Sequence, residues 1–141
     1  MTESHAEERT KPFAALTALT LAMTVALLVW RTKLIVPVAV IAAIAVPWIA
    51  FSIFLRVKRD TWGREGKYLD LWSIPHFIGG VLLACFGIGF WLVLALTTWW
   101  ECVESLCRIH EHKANRVMDV ILATSAWALA QGAFDGNFPG W

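Results

Sequence analysis

Four stretches of the chain lack charge over lengths that matter in a bilayer. Phe13 to Trp30 is 18 residues without Asp, Glu, Lys or Arg, Leu34 to Leu55 is 22, and Phe77 to Trp100 is 24. Val120 to Phe134 adds 15, or 18 when it is extended back through Val117 and admits Asp119. About 20 apolar residues cross a bilayer, within a range of roughly 17 to 25. The pattern predicts an all-α, polytopic membrane helix bundle of about four transmembrane helices, over 13–30, 34–55, 76–100 and 117–134. A polar tail (1–12) precedes the bundle and a short tail (135–141) follows it.

Local signals refine this outline. The leader MTESHAEERTKP sets Glu3, Glu7 and Glu8 against Arg9 and Lys11, and no small-x-small site follows, so the first run reads as a retained span rather than a signal peptide. The link Arg31-Thr32-Lys33 is short enough to make the first two helices an antiparallel hairpin. Pro37 falls in the first turn of the second helix, where a missing N–H does no harm, while Pro47 falls in its middle and predicts a kink. Residues 56–75 form the longest loop, with five cations and three acids, and Pro75 is placed to open the third helix. That helix carries Gly79, Gly80, Gly87 and Gly89, small residues that let helices approach closely in lipid.

The third run admits two readings. As one span it places His76 on the opposite membrane face from Glu104 and Asp119. As a re-entrant hairpin turned at Gly87-Ile88-Gly89 it returns the chain, and the three residues can meet. Non-helical backbone at membrane depth is tolerated only where protein covers it, and a run of this length favours the single span. Four spans then put seven Lys and Arg on one side and five on the other, which points both termini to the cytoplasm. The same layout groups Trp30 with Trp99 and Trp100 as an aromatic belt at one face. Trp62 and Trp72 serve the other, and Trp48, Trp91 and Trp127 lie deeper as packing or lipid-facing residues.

Composition agrees with a bilayer as solvent. The chain is 58% hydrophobic and 16% charged, against about 25% charged in soluble domains. A net charge of +1 gives no global field for nucleic acid. Cys85 reads as a packed small residue, and Cys102 and Cys107 are too poorly aligned on a helix for a local disulfide.

The candidate chemistry gathers between Trp99 and Asp119. Glu101, Glu104, Arg108 and Glu111 share a stripe at helical spacing, so the third helix is expected to continue as an amphipathic extension, with Glu104 and Arg108 as an i, i+4 pair. Asn115 suits the N-cap of the last helix. Asp119 lies where a lipid-facing acid costs roughly 2.5–3.5 kcal/mol near the bilayer centre, so it should turn inward and find a partner. His76, at a helix entrance, is either an interfacial residue or an acid/base. Cys102, Cys107, His110 and His112 offer metal-binding atoms, but the spacing C-x4-C-x2-H-x-H is not a zinc pattern and no Glu-x-x-His pair is present. No metal and no cofactor are assigned.

The order His76-Phe77, Glu104, then Arg116 and Asp119, with Asp70 just upstream, resembles the VanZ-like small membrane proteins and a related group of inner-membrane proteins, over residues 70–134. The resemblance implies a bacterial inner-membrane protein that handles a lipid-linked or amphiphilic envelope substrate. Glu104, Asp119 and His76 would be its catalytic residues, and Glu101, Arg108 and Arg116 its ligand-binding ones. The chain departs from the family in two ways. ATSAWALAQG stands where an Asn-x-x-Gly is usual, and the interval from His76 to Glu104 is short for the helix, loop and helix it normally holds. An accessory subunit of a larger membrane assembly is the alternative, motivated by the aromatic content and the small-residue faces. A small transporter is the least supported, because the first two spans hold no ionisable residue. Membrane lipid is the expected partner, with other membrane subunits as a second class.

Overall fold

The computed structural model describes residues 10–31, 34–64, 66–107, 109 and 112–135. Among them helix is the only regular secondary structure, as the apolar runs predict. The helices are α1 (Thr10–Arg31), α2 (Val38–Val57), α3 (Ser73–Cys85), α4 (Phe90–Leu106) and α5 (Lys113–Asp135). Three of these, α1, α2 and α5, contain apolar stretches of 19 to 22 residues, long enough to cross a membrane, and α3 is a shorter apolar helix. The protein is thus an integral membrane helix bundle of about four spans. Most of both polar tails lies outside the described residues.

The third apolar run is two helices, not one, which corrects the single-span expectation. α3 has 13 residues and α4 has 17, so they are about 20 and 25 Å long. The break has an identifiable cause. Gly87 takes φ 63°, its N–H donates to Ala84 O at 2.8 Å, and the Ile88 N–H donates to Leu83 O at 3.2 Å. Together these two bonds make a Schellman ending, which needs a residue in the left-handed region at Gly87. Carbonyls at the break also accept hydrogen bonds from other elements. Trp127 Nε1 donates to Ile88 O at 2.7 Å, Gln131 Nε2 to Ala84 O at 3.3 Å, and the Ile35 N–H to Cys85 O at 3.1 Å. An interrupted backbone inside a bilayer requires this kind of cover.

α5 is the hub. It lies against α3 most extensively and against α4 next, while α2 flanks α3 and α1 flanks α4. Ala84, Ile88, Val93, Trp127 and Ala130 form a buried cluster near the turn, and Ile41, Leu82 and Cys85 form a second between α2 and α3. α3 approaches α5 so closely that a Cβ on Gly80 would lie 2.0 Å from Ala123 O. Trp48 in α2 donates to Pro75 O at 2.8 Å, pinning α2 to the start of α3. α1 is the most peripheral helix. Only 6% of its apolar stretch is buried, and Leu21, Val25 and Val29 face outward, as a lipid-facing helix should. Pro37 is the N-cap of α2 rather than a residue of its first turn.

The hairpin reorders the ends of the bundle. Phe13, at the start of α1, meets Trp100 with ring centroids 5.9 Å apart and lies under Arg56 at 4.6 Å. Trp99 Nε1 donates to Thr20 Oγ1 at 3.0 Å. So the start of α1 and the ends of α2 and α4 share one end of the bundle. The starts of α3 and α5 share it too, through Ser73 and Asp119. The hairpin turn, the Ile35 segment and the last turns of α5 occupy the other end. α1 therefore begins and α5 finishes at opposite ends. Trp30, in the last turn of α1, is apart from Trp99 and Trp100, so the expected three-residue belt does not form; Trp62 and Trp72 lie at the Trp99 end instead.

Candidate functional site

Turning the chain at Gly87 brings His76, Glu101 and Asp119 together. His76 is in the first turn of α3, Glu101 is near the end of α4, and Asp119 lies about 9 Å along α5 from Lys113. The His76 ring stands between two carboxylates. Its Nδ1 is 3.8 Å from Glu101 Oε1 and its Nε2 is 3.8 Å from Asp119 Oδ2, with the three side chains 14%, 8% and 2% exposed. Direct hydrogen bonds to nitrogen run about 2.7–3.2 Å. The separations are therefore short enough for strong electrostatic coupling and long enough to admit a bridging atom. One donor atom from each residue can be chosen so that all lie within 4.8 Å of one another.

A rigid polar frame fixes this cluster. In the loop before α3, Asp70 Oδ1 accepts from the N–H groups of Trp72 (2.7 Å) and Ser73 (3.3 Å), and Oδ2 accepts from the Gly66 N–H (2.7 Å). Ser73 Oγ accepts the Asp70 N–H at 3.2 Å, closing a reciprocal pair at the helix start. The same hydroxyl donates to Asp119 Oδ1 at 3.0 Å. Asn115 Nδ2 donates to Asp70 Oδ2 at 3.0 Å and to Asp119 Oδ2 at 3.4 Å. Ser73, Asn115 and Asp119 are all buried. Asp119 thus turns inward, is held by two neutral donors, and presents a carboxylate oxygen to His76. Buried polar groups bonded in this way specify one arrangement, because breaking any link leaves a desolvated atom behind.

Glu104 does not join His76 and Asp119. It lies three residues beyond Glu101, about 4.5 Å further along α4, and is half-exposed toward the end of the helix. The hairpin register aligns Glu101 with His76, so the acid expected to bind ligand occupies the place expected of the catalytic one. Arg116 Nη2 donates to Ile109 O at 3.1 Å, bracing the connection between α4 and α5. Arg108 lies outside the described residues. Asn115 is not an N-cap, because α5 already starts at Lys113 and the Asn115 N–H donates to His112 O at 2.9 Å; its side chain is released to serve the cluster.

Cys85, Cys102 and Cys107 form no disulfide among the described residues, with Cys102 exposed and Cys107 buried, and His110 lies outside the described residues. Among the described residues the group with metal-binding potential is His76, Glu101 and Asp119, not the Cys/His tract. Ser73 is the residue that sequence reasoning missed. The Asp70-x-x-Ser73 spacing ahead of an apolar run was its available signal. A shallow depression on the loop between α2 and α3, lined by Asp60, Thr61, Trp62, Arg64 and Leu71, includes none of the cluster. No protein-family model, curated protein or solved structure matches the chain.

Proposed function

We propose that the protein is a VanZ-like membrane protein. Its buried His76–Glu101–Asp119 centre would act by acid/base chemistry on the polar part of an amphiphilic or lipid-linked envelope substrate. The observation that carries this reading is the imidazole placed between two buried carboxylates at the end of an apolar bundle. An imidazole can take or give a proton near neutral pH, and a flanking carboxylate can hold its tautomer and stabilise its charged form. Charged and polar residues inside a membrane bundle are costly and mark functional sites by default. Arg116, one turn before Asp119, is the cation nearest in sequence for an anionic head group.

The sidedness that fits this reading follows from the hairpin. Among the described residues, eight of nine Lys and Arg (Lys11, Arg56, Lys58, Arg59, Arg64, Lys67, Lys113 and Arg116) fall in the segments at the cluster end, and Arg31 ends α1 at the other. Such an excess favours the cytoplasm. The centre then opens toward the cytoplasmic face of a bacterial inner membrane, and the end of α5 lies outside.

The test is lipid retention and an envelope phenotype. The protein is purified in mild detergent, its co-purifying lipids are profiled by mass spectrometry, and cells expressing it are challenged with envelope-directed antibiotics. His76→Gln, Glu101→Gln and Asp119→Asn should each change the lipid profile and the tolerance at unaltered expression. Wild-type profiles and tolerance in all three folded variants would sink the acid/base reading.

A further inference from the structure

We propose that His76, Glu101 and Asp119 form a binding site for a divalent transition-metal cation of the zinc, manganese or cobalt class. This deepens the functional reading and rests on it for its biological meaning, though not for its test.

Geometry is the first support. Three atoms no more than 4.8 Å apart share a point at most about 2.8 Å from each, and zinc–ligand distances are about 2.0–2.2 Å. Side-chain rotations closing each arm by about 0.8 Å or less complete the coordination. The backbone need not move, since each ligand comes from a different helix and all three point at the same space.

Donor chemistry is the second support. One imidazole and two carboxylates make a mixed nitrogen and oxygen set. Imidazole suits zinc, iron, copper and nickel, while carboxylates suit manganese and magnesium as well. Magnesium and calcium prefer oxygen ligands only, and magnesium keeps several waters, so the ring nitrogen selects against them. Three protein ligands leave a position open for water or substrate, as catalytic sites require. Two carboxylates sharing one buried site also favour a cation between them.

The supporting frame is the third and independent observation. Ligating carboxylates in metal centres are themselves hydrogen-bonded by an outer layer that fixes their orientation. Here Ser73 Oγ holds Asp119 Oδ1 at 3.0 Å and Asn115 Nδ2 reaches Oδ2 at 3.4 Å. Asp70, anchored by three backbone N–H groups, fixes Asn115 in turn. This frame is buried, converges from the loop, α3 and α5, and aims one carboxylate at the histidine. Such an outer layer exceeds what an isolated inward-facing acid needs.

The experiment uses the full chain in detergent. Chelator-stripped protein is titrated with Zn²⁺, Mn²⁺ and Mg²⁺, and bound metal is counted by inductively coupled plasma mass spectrometry after desalting. The expected result is one Zn²⁺ per chain, Mn²⁺ more weakly and Mg²⁺ weakest. Glu101→Gln and Asp119→Asn should each weaken Zn²⁺ at least tenfold, while the Cys102→Ser/Cys107→Ser double variant keeps wild-type binding. Because an Asn or Gln variant can fail by misfolding, a gain of signal completes the test. His76→Cys loaded with Co²⁺ should show a thiolate-to-cobalt charge-transfer band that the wild type, with its three native cysteines, lacks. Failure of the wild type to retain metal overturns the inference, as does equal retention by the Glu101 and Asp119 variants or a His76→Cys variant without the band. If metal does not bind yet the same variants alter lipid retention, the metal site falls and the acid/base reading survives. If metal binds as expected and the lipid profile is unaffected, the site stands and the functional reading falls.

Discussion

Gly80→Ala tests the contact on which the cluster depends. A Cβ at position 80 would stand 2.0 Å from Ala123 O, 2.8 Å from its carbonyl carbon and 3.0 Å from its Cα. All three are backbone atoms of α5, so no side chain can swing aside. Reaching an ordinary separation of about 3.5 Å requires the two helices to part by about 1.5 Å at this point. If α3 shifts as one rigid rod, that movement also stretches the Ser73 Oγ to Asp119 Oδ1 bond, two turns away and now 3.0 Å, beyond hydrogen-bonding range. Overpacking of this kind costs about 1–3 kcal/mol, and the lost bond adds about 1 kcal/mol. Alanine returns about 1 kcal/mol through its higher helix propensity, leaving a net loss of about 1–3 kcal/mol. Gly79 provides the control, since its Cβ would meet only Trp48 Cζ2 at 3.8 Å; Gly79→Ala should be neutral or stabilising by up to about 1 kcal/mol. The assay is thermal unfolding in one detergent, read by the fluorescence of the nine tryptophans. A Gly80→Ala variant that unfolds at or above the temperature of Gly79→Ala would refute the close α3–α5 approach.

Three further predictions concern the hairpin. Gly87→Val places a β-branched residue at φ 63° and should destabilise by at least about 1–2 kcal/mol; unchanged thermal unfolding would argue against the turn. Trp127→Phe keeps an aromatic ring but strips the 2.7 Å bond from Ile88 O, leaving a buried carbonyl at a cost of about 1–3 kcal/mol; hydrogen exchange at residues 86–89 should rise relative to wild type, and equal protection would count against the bond. Sidedness reporters inserted at Thr61 and fused after Phe134 should report opposite faces of the membrane, whereas a single third span would place both on the same face.

The class of fold was legible because bilayer thickness writes directly into the length of uncharged runs. The break in the third run was not, and the reason is physical. Its 24 uncharged residues satisfy the length rule for one span, and the glycines at 87 and 89 carry only a local signal. What makes the break tolerable is remote: Trp127, Gln131 and Ile35 supply donors from other elements, and no periodicity within the run reveals them. The site was readable in the same uneven way. Asp119 was visible as an acid within an apolar run, and His76 as a histidine at a helix entrance. Glu101 and Glu104 lie on one stripe three residues apart, so choosing between them requires the register of the hairpin. Asn115 looked like a cap because its residue type suits one, yet α5 begins two residues earlier and frees the amide for Asp70 and Asp119.

The position of α5 has a consequence for how the protein is put together. Among the described helices it follows α3 and α4 in the chain, yet it supplies Trp127 and Gln131 to the hairpin turn and Asn115 and Asp119 to the polar frame. Without it, the α3–α4 hairpin lacks the Trp127 donor to Ile88 O, and His76 and Glu101 lack their third partner. Docking of α5 therefore covers the turn and completes the polar cluster together, so the two features form or fail as one.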